Sequence, residues 1–374
     1  MEERGVVATR DLSAGEVLMD LPLTVCMAAA SGSEDILGPA AAALDSAGIE
    51  PVDAALTVAF AQETALREAS PWWPYLSLVG EARRGFPCFF AQEELAALQS
   101  PPLVELLESI VPAFEAVATI WGLERDDLLA AWELVHSRRF GCKDGRFMLP
   151  VGDLMNHSFE PSCAWEEPTA DRASWRLVSL RQLAAGDPLT FCYCKDPNHL
   201  LLLNSGFIVP GNPNNRVMIR PADLRRCMSA AASSPCPEDF ASWRAQQFEE
   251  QLPDPGGEGP GMSMFLVGRV PSGGIQWNPL WLDLCGMATS SGGARPHWSK
   301  LPGGTEQFCA TLEKATWALF PTSLEADLSE IASANKQPGA MSANSALALE
   351  FRIEQKQLLA DALGSLRQKL LSQK

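Results

Sequence analysis

Strand-like alternation occupies residues 5–26, gives way to helical spacing through about residue 137, and returns at residues 147–193. A chain of this pattern is an α+β protein with a helical block inserted between two strand-rich regions. The first region, Gly5 to Cys26, reads as a β-hairpin in which two β-branched runs flank the turn cluster Ser13-Ala14-Gly15. Residues 53–69 have helical apolar spacing and are halted by Pro71-Trp72-Trp73-Pro74. Residues 92–137 then hold two or three helical segments, with breaks expected at Pro101-Pro102 and near Pro112. Short strands are expected at 147–151, 175–180 and 188–191, each bounded by Gly, Asp or Pro. The cluster Gly211-Asn212-Pro213-Asn214-Asn215 closes this half of the chain.

Beyond residue 220 the pattern is helical again, with a final helix expected over 345–371. Two Gly-rich stretches interrupt it, at 254–261 and 290–296. Neither is a phosphate-binding loop. The first lacks the Lys-Ser/Thr such a loop requires, and no strand leads into it, so both read as flexible connectors.

Composition narrows the function classes. At 374 residues and 47% hydrophobic, the chain is long enough for two domains, each with a core. A net charge of −17 argues against a nucleic-acid partner, which needs a basic surface. No apolar run reaches the ~20 residues of a membrane span. The ten cysteines are scattered with no C-x-x-C pair, so reduced thiols are expected rather than a disulfide framework or a zinc site. Cys192 and Cys194 at strand spacing fall on the face opposite Tyr193. The chain opens directly into apolar alternation with no signal or transit sequence, which predicts a cytoplasmic or nuclear protein. A plastid location is open only if the chain begins downstream of a true start.

Three clusters carry chemistry: Ser137-Arg138-Arg139-Phe140, Asp153-Leu154-Met155-Asn156-His157-Ser158, and Tyr193 with Asn204-Ser205-Gly206-Phe207 after it. Each alone has a plain structural explanation. An Asn-His pair is commonly a satisfied polar turn, and a tyrosine at a strand end is commonly half-buried packing.

Taken in order, with the opening G-V-V-A-T-R-D-L-x-x-G-E and the later G-D-x-L-T-x-x-Y, the clusters resemble the SET-domain methyltransferases. The likeness is narrower toward the branch of the Rubisco large-subunit lysine methyltransferase and the actin histidine methyltransferase. Trp73-Pro74-Tyr75-Leu76 fits that branch's inserted helical block, and the segments 321–327 and 348–359 are similar to its C-terminal substrate-binding domain. The resemblance implies a SET β-fold of short strands over residues 1–215, with the inserted block at about 50–137. An all-α substrate-binding domain over 216–374 would follow.

It further implies S-adenosyl-L-methionine as cofactor, held by Glu2, Arg4, Gly5, Arg138, Asn156, His157 and Tyr193. Tyr193 is the implied catalytic residue, and Phe140, Ser205 and Phe207 the implied walls of the substrate channel. The partner is then a protein presenting a lysine or a histidine to a monomeric enzyme, with no metal, nucleic acid or membrane. Such chemistry is an in-line displacement, so the protein's tasks are to align donor and acceptor and to exclude water.

This sequence departs from the branch at four positions. Cys194 follows the tyrosine where the branch has Gly or Asp. Ser205 replaces the second tyrosine of the plant lysine enzymes and matches the histidine-methylating branch. Against that, Phe140 stands where the histidine branch places a polar amide, and Gly152 where it has a bulky aromatic. An aromatic wall suits an aliphatic stem better than a ring nitrogen that needs a partner. Lysine is therefore the expected acceptor and histidine the alternative, with a SET-fold scaffold that no longer turns over as the third reading.

Overall fold

A computed structural model describes residues 5–30, 38–79, 85–220, 223, 227, 264–270, 273–279, 281–283, 285, 304–337 and 339–372. In chain order its strands are β1 (Val6–Val7), β2 (Val17–Pro22), β3 (Met27–Ala30), β4 (Phe140–Cys142), β5 (Gly145–Met148) and β6 (Asn156–His157). They continue as β7 (Cys163–Glu166), β8 (Ser174–Ser179), β9 (Pro188–Phe191), β10 (Arg216–Ile219), β11 (Met264–Arg269) and β12 (Ile275–Trp277). The helices are α1 (Ala41–Ser46), α2 (Pro51–Leu66), α3 (Trp73–Val79), α4 (Gln92–Ala97) and α5 (Pro101–Trp121). After them come α6 (Arg125–His136), α7 (Asn198–Ser205), α8 (Gly304–Trp317), α9 (Leu324–Asn335) and α10 (Ala343–Leu371). Two compact units result. One comprises residues 1–86, 108–196 and 204–206, the other residues 87–107, 197–203 and 207–374.

The first unit is built on three small sheets, ordered β1-β9-β6, β2-β8-β7 and β3-β5-β4. Residues 5–26 do turn at Ser13–Glu16, where Gly15 takes φ +78° and the Glu16 carboxylate accepts the Ser13 amide. They do not form the expected hairpin. β1 pairs with Leu189 and Pro188 of β9, Leu12 bridges Leu183, and β2 pairs with β8. Each half of the apparent hairpin finds a partner more than 150 residues away, because its apolar residues complete a core with Met155, Leu177, Leu183 and Leu189.

The helical block holds α2 against α6 and β3. Asp53 on α2 is buried and binds two guanidiniums, Arg139 Nε at 2.7 Å and Arg146 Nε at 3.0 Å. That clamp fixes the segment between α6 and β5, where Arg138 and Phe140 lie. α2 ends at Leu66, where Arg67 takes φ +50°, short of the expected stop at Pro71–Pro74. Pro74 stands instead in the first turn of α3, the one place a helix tolerates its missing N–H. Pro112 departs from expectation, since α5 runs through it. Ala113, Phe114 and Val117 are almost wholly buried there, and their burial offsets the lost bond and ring clash of about 3 kcal/mol.

The second unit is helical, as expected, and α10 matches the expected terminal helix within two residues. It also contains the antiparallel sheet β10-β11-β12, so it is not built of helices alone. Val217, Ile219, Leu266, Val267 and Trp277 from that sheet share a core with Phe308, Leu358 and Leu359. β10 and β12, of four and three residues, leave too few alternations to register as strands in the sequence. Asn212 and Asn215 of the 211–215 cluster are buried. The Asn198 side chain accepts from Val209 N and Asn212 Nδ2 and donates to Val209 O, at 2.9–3.1 Å. The Gly-rich stretches at 254–261 and 290–296 lie outside the described residues.

Lys356, on α10, is wholly buried. Its ammonium donates to Asp327 Oδ2 (2.5 Å), Thr322 Oγ1 (2.9 Å) and Gln99 Oε1 (3.1 Å), with the Phe320 ring 5.1 Å away. Asp327 also pairs with Arg352 at 3.1 Å. Removing one partner of such a buried pair leaves an uncompensated charge, at a cost of about 3–5 kcal/mol. Denaturant melts of Asp327→Ala should show a loss of that size, and the double change Asp327→Leu with Lys356→Met a much smaller one. A loss under about 1 kcal/mol for Asp327→Ala would contradict the assignment.

Candidate active site

β9 is the middle strand of its sheet, with β1 antiparallel on one edge and β6 parallel on the other. This sheet brings three distant segments together. A Cβ added to Gly5, just ahead of β1, would meet Asn156 Nδ2 at 2.9 Å, so the two residues lie in close contact. Asn156 and His157 pair in register with Thr190 and Phe191. Ser162, wholly buried, braces the same strand: its hydroxyl accepts from Thr190 N (2.8 Å) and donates to Pro188 O (3.0 Å).

β9 ends at Phe191, so Tyr193 lies two residues beyond the strand. Its backbone N–H donates to His157 Nδ1 at 3.1 Å, and its hydroxyl donates to the Met155 carbonyl at 2.5 Å. Burial holds His157 below the usual imidazole range, Asp196 opposing, so the ring is neutral with its proton on Nε2. Both ends of Tyr193 are thus tied to the 155–157 segment. A hydroxyl whose proton is committed to a carbonyl turns its lone pairs elsewhere.

Tyr193 lines a cavity of about 430 Å³ with two chemically distinct sets of walls. The polar set includes His136, Arg138, Asp153, Asn204 and Ser205. Arg138 Nη1 donates to the Asp153 carbonyl at 2.9 Å, and the Tyr75 hydroxyl donates to the Asp153 carboxylate. Asp153 is almost fully buried, and burial pushes its carboxyl up to about 6 against the pull of Tyr75 and Arg138. Burial takes His136 down to about 3, although a hydrogen bond accepted by Asn204 favours the charged form. It stays neutral, stacked on Trp132 with centroids 4.1 Å apart. Asp153 Oδ1 and Arg138 Nε have no hydrogen-bond partner among the described residues.

The apolar set is aromatic: Phe140, Trp165, Trp175 and Phe191. The Phe140 ring lies 5.3 Å from Phe191, 5.6 Å from Trp175 and 5.7 Å from Trp165, and Phe191 lies 4.7 Å from Tyr193. These contacts give offset and edge-on pairs, the favoured geometries for aromatic rings.

Among the residues expected from the sequence, Arg138, Phe140, Tyr193 and Ser205 line this one cavity. Gly5 touches Asn156, and Asn156 and His157 are linked to the cavity through Tyr193. Phe207 belongs to the second unit. Glu2 and Arg4 lie outside the described residues. Sequence reasoning missed Trp165, Trp175, Phe191, Glu133 and His136 as site residues. It quoted Asp153 and Tyr75 within motifs without giving either a role, although Tyr75 is the only tyrosine besides Tyr193.

A family model for the SET domain matches residues 3–194, just over half of the chain. The chain belongs to the SET-domain family. Solved structures resemble it over 98% of its length and 85% of theirs. They include the SET domain of LSMT bound to lysine and AdoHcy (18% identity, TM-score 0.62) and the same domain bound to MeLysine and AdoHcy (19%, 0.61). Rubisco LSMT bound to AdoMet is a third (18%, 0.59). At these identities the likeness is one of fold. No curated protein matches the chain by sequence.

Glu133, on α6 of this SET domain, is 1% exposed, and neither carboxylate oxygen has a partner among the described residues. Burial pushes its carboxyl up to about 8, with Arg138 pulling the other way. The folded state therefore keeps the proton longer than the unfolded chain does, whose glutamate titrates near about 4.3. Stability must fall as pH rises from there to about 8. Glu133→Gln removes that penalty. Thermal melts should place variant and wild type together at pH 5 and the variant higher at pH 9; parallel pH profiles would contradict the burial argument.

Proposed function

We propose that this SET domain transfers a methyl group from S-adenosyl-L-methionine to the side-chain amine of a lysine on a non-histone protein. In this reading it belongs to the branch of the Rubisco large-subunit lysine methyltransferase, and residues 216–374 bind the substrate protein. The observation that carries the reading is the position of Tyr193. It is fixed by two hydrogen bonds to the 155–157 segment, and it borders both the polar and the aromatic walls of one cavity.

The residues present fit the cofactor. Gly5 lies against the Asn156 side-chain amide, whose two polar atoms make no hydrogen bond to the protein's own groups among the described residues. Arg138 Nε and Asp153 Oδ1 are buried polar atoms that await a partner. Gly5, Asn156, His157 and Arg138 would hold it, with Tyr193 at the transfer end. When bound, it supplies an electrophilic methyl group on a sulfonium.

The protein's own contribution is to orient and dry the acceptor. A lysine amine, of pKa about 10.4 in water, must arrive neutral. Removal from water between Phe140, Phe191 and the two tryptophans disfavours its charged form. With its proton bonded to the Met155 carbonyl, the Tyr193 hydroxyl can act toward an amine N–H as an acceptor and point the nitrogen's own lone pair along the cavity. An imidazole acceptor would need a polar partner that the aromatic walls do not offer, which favours lysine over histidine.

The test is label transfer from methyl-tritiated S-adenosylmethionine to peptide pools that contain either lysine or histidine. Label is expected on lysine alone. Tyr193→Phe should lower kcat about 10²-fold or more, the usual cost of removing one aligned polar group, while stability falls by no more than about 0.5–1.5 kcal/mol, the contribution of one hydrogen bond. Label on histidine, or an active Tyr193→Phe enzyme, would contradict the reading.

A further inference from the structure

The inserted helices reach the polar wall of the cavity at two places. On α3, Tyr75 is buried, and its hydroxyl donates to the Asp153 carboxylate. On α2, buried Asp53 pairs with Arg139 Nε at 2.7 Å. Neither Tyr75 nor Asp53 lines the cavity, whereas Arg138, Arg139 and Asp153 do. Both contacts lead to Arg138. Arg139 is its neighbour in the chain, and the Asp153 carbonyl accepts Arg138 Nη1 at 2.9 Å. Little else holds that guanidinium, since its Nε is buried without a hydrogen-bond partner among the described residues. The Asp153 carbonyl sits in a turn that itself needs an outside grip. Val151, a β-branched residue, takes φ +69° just ahead of the 3-10 turn Gly152–Leu154. Such a conformation persists only where the surrounding structure holds it. The bond from Tyr75 is one such hold, and the bond from the Asp153 amide to the Leu149 carbonyl (3.0 Å) is another.

We propose that Asp53 and Tyr75 are positioning residues for S-adenosyl-L-methionine, fixing the Arg138 guanidinium from two sides. This role rests on the cofactor reading above and extends it to the inserted helical block. An arginine side chain has many rotamers, and a ligand that must select one of them binds more weakly for it. A guanidinium held in place beforehand spares the ligand that loss. Asp53 acts through the chain: it draws Arg139 toward α2, which sets the main chain from which Arg138 and Phe140 reach the cavity. Tyr75 acts through the Asp153 turn. Its hydroxyl and Arg138 both favour the ionised Asp153 carboxyl against burial. Loss of the phenol oxygen would leave Asp153 with a second unpartnered oxygen beside Oδ1 and free the turn to shift. Arg146 separates positioning from mere packing. Its Nε also bonds Asp53, at 3.0 Å, but it stands on β5 opposite Gly141 and does not line the cavity.

The test measures the Kd of radiolabelled S-adenosylhomocysteine for the full chain by equilibrium dialysis, with a thermal melt of each variant alongside. Tyr75→Phe and Asp53→Asn should each weaken binding about tenfold or more, the scale of one hydrogen bond to a charged group. Arg146→Met, which also strips a partner from Asp53, should lower the melting temperature yet leave Kd within about twofold of wild type. Arg138→Met should weaken binding at least as far as either of the first two. Adding Tyr75→Phe or Asp53→Asn to it should weaken binding by less than about twofold more, because the group they position is gone. Should Asp53→Asn fail to fold, Tyr75→Phe judged against Arg146→Met decides the outcome. Unaltered binding in Tyr75→Phe, a loss in Arg146→Met as large as in Asp53→Asn, or losses undiminished in the Arg138→Met background would each overturn the proposal. Those results in a chain that binds S-adenosylhomocysteine sink the positioning role alone. A wild-type chain that does not bind it sinks the cofactor reading, and the positioning role with it.

Discussion

The two hydrogen bonds that fasten Tyr193 to residues 155–157 are the constraint on which the site depends. They join a residue past the end of β9 to the strand that pairs with β9 in parallel, so neither segment can shift without breaking the other's contacts. The same strand carries β1 on its opposite edge, which brings Gly5 against Asn156. Three stretches separated by up to about 190 residues are thereby reduced to one rigid patch. Parallel pairing of two-residue β6 would be weak alone. Ser162, bonded to both Pro188 and Thr190, and the apolar core of Met155, Leu177 and Leu189 hold it in place.

Around that patch, burial shifts the titration of two histidines and two carboxyls. His136 and His157 are kept neutral, while Asp153 and Glu133 hold their protons above the usual carboxylate range. The polar side of the cavity thus sets a neutral His136 beside Arg138 and an Asp153 carboxyl raised to about 6. A site of that kind gives directed hydrogen bonds in a medium of low polarity, where each is stronger than in water. The aromatic side supplies the complementary condition, a dry wall for an alkyl chain. The division between the two sides falls at Tyr193.

The long, strongly patterned elements were legible in the sequence: α2, α10, β8 and β9 all stand where alternation or helical spacing places them. The failures have physical causes. β4, β6 and β12 hold two or three residues each, too few for any period to show. Residues 5–26 have the local signature of a hairpin, yet each strand gains more by completing a distant sheet than by pairing with its neighbour. Pro112 reads as a helix end, but the burial of Phe114 and Val117 overrides it. For the site, the Asn156-His157 pair, Arg138 and Tyr193 stood out through ordered motifs. Trp165 and Trp175 did not, because strand alternation says that alternate residues share a face without saying which face meets a cavity. Glu133 was hidden for a similar reason: a glutamate on a helix reads as surface, and only the packing of α6 against α2 reveals it as buried.

Calorimetric titration of S-adenosylhomocysteine into the purified full chain addresses the arrangement around β9 most directly. The account predicts saturable binding at one site, lost in Asn156→Ala and retained in Tyr193→Phe. Heat-free titration of the wild-type chain, or binding indifferent to Asn156, would contradict it.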